Sequence, residues 1–251
     1  VYPISEDRVG LKLKVEEGTQ YFLRNITWVG NSVYRKEDLD RWLNIKKGSV
    51  YDQSHLENRL NGASGAQDAV SSAYQDNGYL FSRLTPVEAK IENDSVDLEI
   101  RIYEGDQAYL NNIIISGNTR TNEHIARREL YTLPGDLFSK DKIIRSIRQL
   151  GVIGHFDPEK INPNVVPDPA NGTVDLLYKL EERANDQFEI SGGWGAGMLV
   201  GTIGVRFNNF AMRNFFKLNE WRPYPSGDGQ SLSIRAQSNG RLYQSYNISF
   251  N

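Results

Sequence analysis

The chain has 251 residues, enough for two small domains and part of a third. Its 29 Lys and Arg stand against 32 Asp and Glu; residues 1–186 carry 23 against 29 (−6) and residues 187–251 six against three (+3), neither of which is the concentrated basic patch that nucleic acid demands. No cysteine is present, which excludes a disulfide framework, a thiolate nucleophile and a thiolate metal site, and no run of about 18 apolar residues offers a transmembrane helix.

The pattern starts in mid-course at Val1, as expected of a fragment cut at both ends. Residues 9–17 alternate apolar and polar and predict a half-buried strand closed by Glu16, Glu17 and Gly18. Phe22 to Val29 predicts the next strand, ending in the turn pair Gly30-Asn31. Leu39, Trp42 and Leu43 stripe a short helix over Arg35 to Asn44. Asp52 is placed to cap a second helix carrying Leu56 and Leu60. Asn61 to Gly65 should break that helix before Ala69, Val70, Ala73 and Tyr74 resume its stripe. Strands at about Leu84 to Glu92 and Val96 to Tyr103 follow, joined by Asn93-Asp94-Ser95.

The same grammar then recurs. Val9, Leu11, Leu13, Val15, Glu17 and Gly18 return 87 positions later as Val96, Leu98, Ile100, Ile102, Glu104 and Gly105. Leu23, Asn25 and Ile26 with Gly30-Asn31 return as Leu110, Asn112 and Ile113 with Gly117-Asn118. One offset held from strand to turn to helix marks tandem copies of a β-α-α-β-β module. In the second copy Thr121 should cap a helix through Tyr131, and Ser139 one through Leu150. A strand near Lys160 to Val166 contains Pro163 and precedes Pro167 and Pro169, so it belongs on a sheet edge. Asn171-Gly172 turns into a last strand, Val174 to Leu180.

At Asn185 helical spacing stops and long alternation begins. Phe188, Ile190, Gly192 and Trp194 share one face. So do Leu199, Gly201, Ile203, Val205 and Phe207, then Leu232, Ile234 and Ala236, then Leu242, Tyr246, Ile248 and Phe250; Gln244 is a blemish on that last face. Arg206 and Arg235 fall on the polar face. Strands of about nine to eleven residues, apolar outward and polar inward, are the pattern of a membrane β-barrel, where a charge facing lipid costs roughly 2–4 kcal/mol at mid-bilayer. A soluble antiparallel sheet with one wet face has the same alternation. Four strands cannot close a barrel, which needs about eight, so any barrel here is partial.

Tandem β-α-α-β-β modules with an Ile-x-x-x-Gly-Asn turn, a Gly-Tyr pair after the second helix and a Glu-Gly exit resemble POTRA domains. The residues concerned are Ile26, Gly30, Asn31, Gly78, Tyr79, Glu104 and Gly105, and again Ile113, Gly117 and Asn118. The second copy departs at Gly154-His155, where the Tyr is lost, and exits through Glu181-Glu182 without Gly. POTRA repeats feeding into a Gly-rich opening strand, Phe188 to Gly195, are similar to the BamA-like family of outer-membrane protein assembly factors.

The resemblance implies α+β POTRA modules followed by antiparallel transmembrane β-barrel strands. Residues 1–18 would end a preceding POTRA module, 19–105 and 106–184 would be two modules, and 185–251 the first strands of the barrel. It implies a non-enzymatic role in the outer membrane, with the modules in the periplasm. The partners implied are unfolded outer-membrane proteins, accessory assembly-machinery lipoproteins and outer-membrane lipid, with no cofactor and no nucleic acid. An exposed sheet edge offers unpaired N–H and C=O groups to an extended guest. The candidate is Leu84 to Glu92, with Leu84, Val87, Ala89 and Ile91. A glycine-weakened barrel seam is the second candidate, with Phe188, Ile190, Gly192, Gly193, Trp194 and Gly195.

Other chemistry is poorly supported. His55, His124 and His155 share no metal spacing and read as surface or cap residues. Asp94, Asp97 and Asp168 make no carboxylate dyad, and Gly192-Gly193-x-Gly195-x-Gly197 lacks the helix and the lysine of a phosphate loop. Trp194, Trp221 and Tyr224 read as interface-belt aromatics or as packing at hairpin ends. Two competing functions are a two-partner secretion transporter, which the strand at Val9 to Val15 argues against by implying a third module, and a soluble peptide-binding repeat protein.

Overall fold

The computed structural model describes residues 2–5, 8–10, 18–62, 68–195, 198–221, 223–240 and 243–251, of which 2–5, 8–10, 195, 198 and 199 are described by backbone alone. The chain forms two compact units, Val1–Ala73 with Ser82–Glu104, and Tyr74–Phe81 with Gly105–Asn251.

In the first unit β1 (Tyr2–Ser5) pairs antiparallel with β2 (Arg8–Gly10). The strand expected over residues 9–17 otherwise lies outside the described residues. The first module continues with β3 (Phe22–Val29), α1 (Lys36–Leu43), α2 (Gln53–Asn61), α3 (Val70–Asp76), β4 (Arg83–Glu92) and β5 (Ser95–Tyr103). Asp52 caps α2 as expected, accepting from the His55 N–H at 3.0 Å, and Gly62 ends it at φ 66°. Strand β5 is central because its alternation is strictest: Val96, Leu98, Ile100 and Ile102 all point into the core. It pairs parallel with β3 on one side and antiparallel with β4 on the other. Leu39, Leu43, Leu56, Leu60 and Val70 close the core from the helices. Each such side chain contributes about 1.5–3 kcal/mol through burial.

The second unit repeats the plan with β6 (Tyr109–Ser116), α4 (Glu123–Arg127), α5 (Lys140–Val152), β7 (Asn162–Asp168) and β8 (Thr173–Lys179) in the order β6-β8-β7. Proline-bearing β7 takes the edge, as its lost donors require. Ser139 caps α5, accepting from the Lys142 N–H at 3.3 Å. The helix expected from Thr121 to Tyr131 is shorter than its spacing suggests: α4 spans only Glu123–Arg127 behind Asn122. Thr121 does not cap it, because the Thr121 hydroxyl is buried and accepts from Asn209 Nδ2 at 2.9 Å. Phe156, Tyr178, Leu110 and Leu176 centre the core, with Leu80 and Phe81 packed against it.

After Asn185 come β9 (Gln187–Gly195), β10 (Met198–Phe210), β11 (Gln230–Asn239) and β12 (Gln244–Phe250), an antiparallel sheet in the order β12-β11-β10-β9. Leu242, assigned to the last strand, lies outside the described residues. No helix among the described residues is long and apolar enough to cross a membrane, which leaves strands untouched by that test.

Candidate functional site

Register decides what the four-stranded sheet presents. Ile190 lies opposite Ile203 and Phe188 opposite Val205; Ile203 faces Ala236, Val205 faces Ile234, and Phe207 faces Leu232. Those continue onto Tyr246, Ile248 and Phe250. One face is therefore apolar from edge to edge, and it is bare: Phe188 is 76% exposed, Ile190 82% and Ile248 72%. The other face carries Glu189 and Arg235, paired at 2.8 Å across β10. Gly204 lies between them in register, and a Cβ there would already touch the Glu189 side chain at 3.5 Å. Arg206 shares that polar face, opposite Gln187 and Ser233.

Strand β9 holds all six predicted seam residues and lies at one edge of the sheet. Its glycines are not there for backbone shape. Gly192 and Gly193 have ordinary extended φ values, and a Cβ at Gly193 would meet nothing within 4 Å. What they remove is cross-strand packing. Gly195 opposes Met198, Gly193 opposes Val200, Gly192 opposes Gly201 and Glu189 opposes Gly204, so four of the nine β9–β10 pairs lack a side chain on at least one strand. No such pair occurs between β11 and β12. At roughly 0.2–1 kcal/mol per cross-strand pair, β9 is the weakly held strand.

Strand β4 is likewise at the edge of its sheet. Its predicted residues do not form one stripe. Leu84 pairs with Ile102 and Ile91 with Val96, on the core face, whereas Val87 pairs with Glu99 on the outer face. Ala89 is the extra residue of a bulge between Glu88 and Lys90 and pairs with nothing. The slip flips the pleat midway, which simple alternation cannot anticipate. On the core face Glu88 accepts from the Tyr51 hydroxyl at 2.9 Å; burial, then that carboxylate, raises the phenol to about 12.

The second module is joined to the sheet by buried polar contacts that sequence reading did not single out. Asn209, 5% exposed, donates through Nδ2 to Thr121 and accepts at Oδ1 from the Gly229 N–H at 2.9 Å. Asp228 accepts from Asn122 Nδ2 at 2.8 Å and pairs with Arg213 at 2.9 Å. Gly227, at φ 126°, packs so closely that a Cβ would stand 2.7 Å from Asn122 Nδ2. Asp186 accepts from the Tyr224 hydroxyl at 2.7 Å; burial first, then this carboxylate, pushes that phenol up. Tyr224 also lies against Phe207, ring centroids 4.4 Å apart, the hairpin-end packing that was one of its two expected roles. Thr121 and Asn209 are 88 residues apart in the chain, and Asn122 and Asp228 106, so no local pattern could pair them.

His155, expected on the surface or at a cap, is buried instead, its Nδ1 3.1 Å from Asn185 Nδ2. Among the described residues no group of three or more His, Asp or Glu is arranged to hold a metal ion.

Comparison with known proteins places this architecture. The POTRA family model, described as a surface antigen variable number repeat, matches residues 21–105 and again 108–183. A putative outer membrane protein assembly factor of Treponema pallidum is 30% identical over 237 residues, 92% of this chain and 26% of that protein. Outer membrane protein assembly factor BamA of Neisseria meningitidis serogroup B is 28% identical over 233 residues, 90% of this chain and 26% of that protein. The chain thus spans about a quarter of the length of these curated relatives. The crystal structure of BamA from Haemophilus ducreyi lacking POTRA domains 1–3 shares the fold, with a TM-score of 0.64 at 21% identity over 92% of this chain and 39% of that one.

Proposed function

The chain belongs to the POTRA family, and from that premise we propose that it is part of the central subunit of a β-barrel assembly machinery. In this reading residues 1–18 end a preceding POTRA module, residues 19–105 and 106–184 are periplasmic modules, and residues 185–251 begin the outer-membrane barrel. The observation that carries it is the bare apolar face running in register across β9 to β12, opposite a face holding the Glu189–Arg235 pair. Such a sheet is unstable in water and suited to a barrel with lipid outside and polar groups inside. Unfolded outer-membrane proteins, accessory lipoproteins and lipid are its partners, and the work is exchange of strand pairing, with no covalent step and no cofactor.

Two edges serve the exchange. Strand β4 offers backbone groups in the periplasm, although its bulge at Ala89 limits a guest strand to one side of the slip. Strand β9 is the seam: its packing, thinned by glycine, lets it part from a barrel neighbour and take a client strand. The test is disulfide crosslinking in the full-length protein during assembly of a substrate barrel. Cysteine at Ile190 or Gly192 is expected to capture the client, whereas cysteine at Thr202 in β10, flanked by a strand on each side, is not. No adduct at Ile190 or Gly192 under saturating substrate would reject the seam.

A further inference from the structure

The loop between β10 and β11 carries an apolar cluster that strand exchange does not use. Phe216 is 92% exposed and Leu218 73%, with Phe215 and Trp221 beside them. Phe215 meets the Phe216 ring edge-on at 5.2 Å and lies 6.4 Å from Trp221. Two short 3-10 turns, Met212–Asn214 and Leu218–Glu220, shape the loop, and the Trp221 indole donates to the Asn214 carbonyl at 3.3 Å. A single exposed Phe needs no explanation, but four large apolar side chains within seven residues of a loop do.

Position identifies the occupant. The loop leaves β10 just past Asn209, which is bonded to the second module, and so lies where a water-facing domain meets the bare strands. Aromatic contact carries over from the apolar face of the sheet to the loop, since Phe207 packs on Tyr224 with ring centroids 4.4 Å apart. Thirteen residues of β10 rise roughly 3.3 Å each, and at a tilt of about 35–45° they cross roughly 30–35 Å, so the strand ends about where a hydrocarbon band of roughly 25 Å gives way to headgroups. Lys217, between Phe216 and Leu218, adds to the loop a cation of the sign that lipid phosphates attract.

We infer that the β10–β11 loop is a lipid anchor: Phe215, Phe216, Leu218 and Trp221 lie in the headgroup–acyl boundary of the phospholipid leaflet on the module side, the place amphipathic aromatics favour. The anchor rests on the membrane reading of β9 to β12 and fixes the depth of the module–sheet junction against the bilayer.

The experiment uses the full-length protein, without other cysteines, in phosphatidylethanolamine–phosphatidylglycerol vesicles. An environment-sensitive nitrobenzoxadiazole dye is attached in turn at Phe216→Cys, Ile190→Cys and Tyr131→Cys, and quenching by lipids with a doxyl group near the headgroup or deep in the acyl chain is compared. The dye at Phe216 is expected to shift to the blue and lose intensity most to the shallow quencher, that at Ile190 to the deep one, and that at Tyr131 on the module to neither. Quenching at Ile190 without quenching at Phe216 overturns the anchor and leaves the membrane strands standing. A blue shift at Phe216 that no lipid quencher reduces assigns the loop to a protein surface and also overturns it. No quenching at either site removes the membrane reading and the anchor together.

Discussion

In the first module Glu104 accepts from the backbone N–H groups of Ser32 and Val33, both at 2.9 Å. In the second, Glu182 accepts from the N–H groups of Arg120 and Thr121 and from the Thr119 hydroxyl. Each carboxylate locks a Gly-Asn turn, and in each turn the Asn side chain donates to a carbonyl three residues on at 3.0 Å, Asn31 to Tyr34 and Asn118 to Thr121. The difference lies in what covers the lock. The Glu182 side chain is only 7% exposed, and the residues beside its turn, Thr121 and Asn122, receive Asn209, Gly227 and Asp228 of the strand region. One repeated motif thus closes a module twice and is used once as a mounting plate. The motif supplies a backbone shape, and the partner's side chains decide whether that shape becomes an interface.

The most damaging way to probe the shared part is at the turn glycines. Gly30 and Gly117 sit at φ 89° and 91°, and a Cβ would stand 2.2 Å from the Ile102 carbonyl oxygen and 1.9 Å from that of Leu180. Alanine at either is expected to cost roughly 3 kcal/mol or more, from strained backbone plus a clash with main chain that cannot yield. Urea unfolding should show similar losses for both; a mild effect at one alone would break the equivalence of the turns.

The carboxylates sharpen the contrast with a smaller effect. Burial raises the Glu182 carboxyl, but the Thr121 and Arg120 N–H groups and the Thr119 hydroxyl outweigh it and hold the group below its ordinary value. Glu182→Gln should cost about 2–3 kcal/mol and Glu104→Gln about 1 kcal/mol, because a buried charged acceptor loses more than an accessible one. Hydrogen exchange at Thr119 to Thr121 should rise in the first variant. Equal losses would mean that the strand region adds nothing to the lock.

Local rules carried the repeat wherever its signals are local. Alternation put Val96, Leu98, Ile100 and Ile102 in one core, glycine marked the turns at positive φ, and proline sent β7 to an edge. The faces of β9 to β12 were legible for the same reason. The failures are non-local. The bulge at Ala89 is set by how β4 meets β5, so Leu84 and Ile91, which plain alternation places on opposite faces, share one. Thr121 had the right chemistry for a cap, but Asn209, far along the chain, claimed its hydroxyl. The Ser226–Gly229 stretch has ordinary turn composition, and only docking gives Asp228 its role.

The smallest effect expected separates the modules by pH. Where the first module has Gly78-Tyr79, the second has Gly154-His155, so only the second places an imidazole there. Asn185 donates through Nδ2 toward His155 Nδ1 at 3.1 Å, a contact that suits the neutral ring. Burial lowers the His155 pKa from its ordinary 6.5, the Arg128 charge lowers it further, and Glu182 offsets part of the shift. With the folded value below the unfolded one, the unfolded chain takes up the proton first. Stability contributed by the neutral ring is therefore present above about pH 6.5 and falls as pH drops toward the folded value, by no more than about 1.4 kcal/mol per pH unit. A loss of stability between pH 7 and 5 is expected for the second unit, read as a lower urea midpoint, and His155→Gln should flatten it. Glu182 does not confuse this reading, because a carboxyl held below its ordinary 4.5 stays charged until more acid is added. A wild-type midpoint that moves no more than that of His155→Gln would show that protonating this ring leaves the junction undisturbed, and the second module would then respond to acid as the first does.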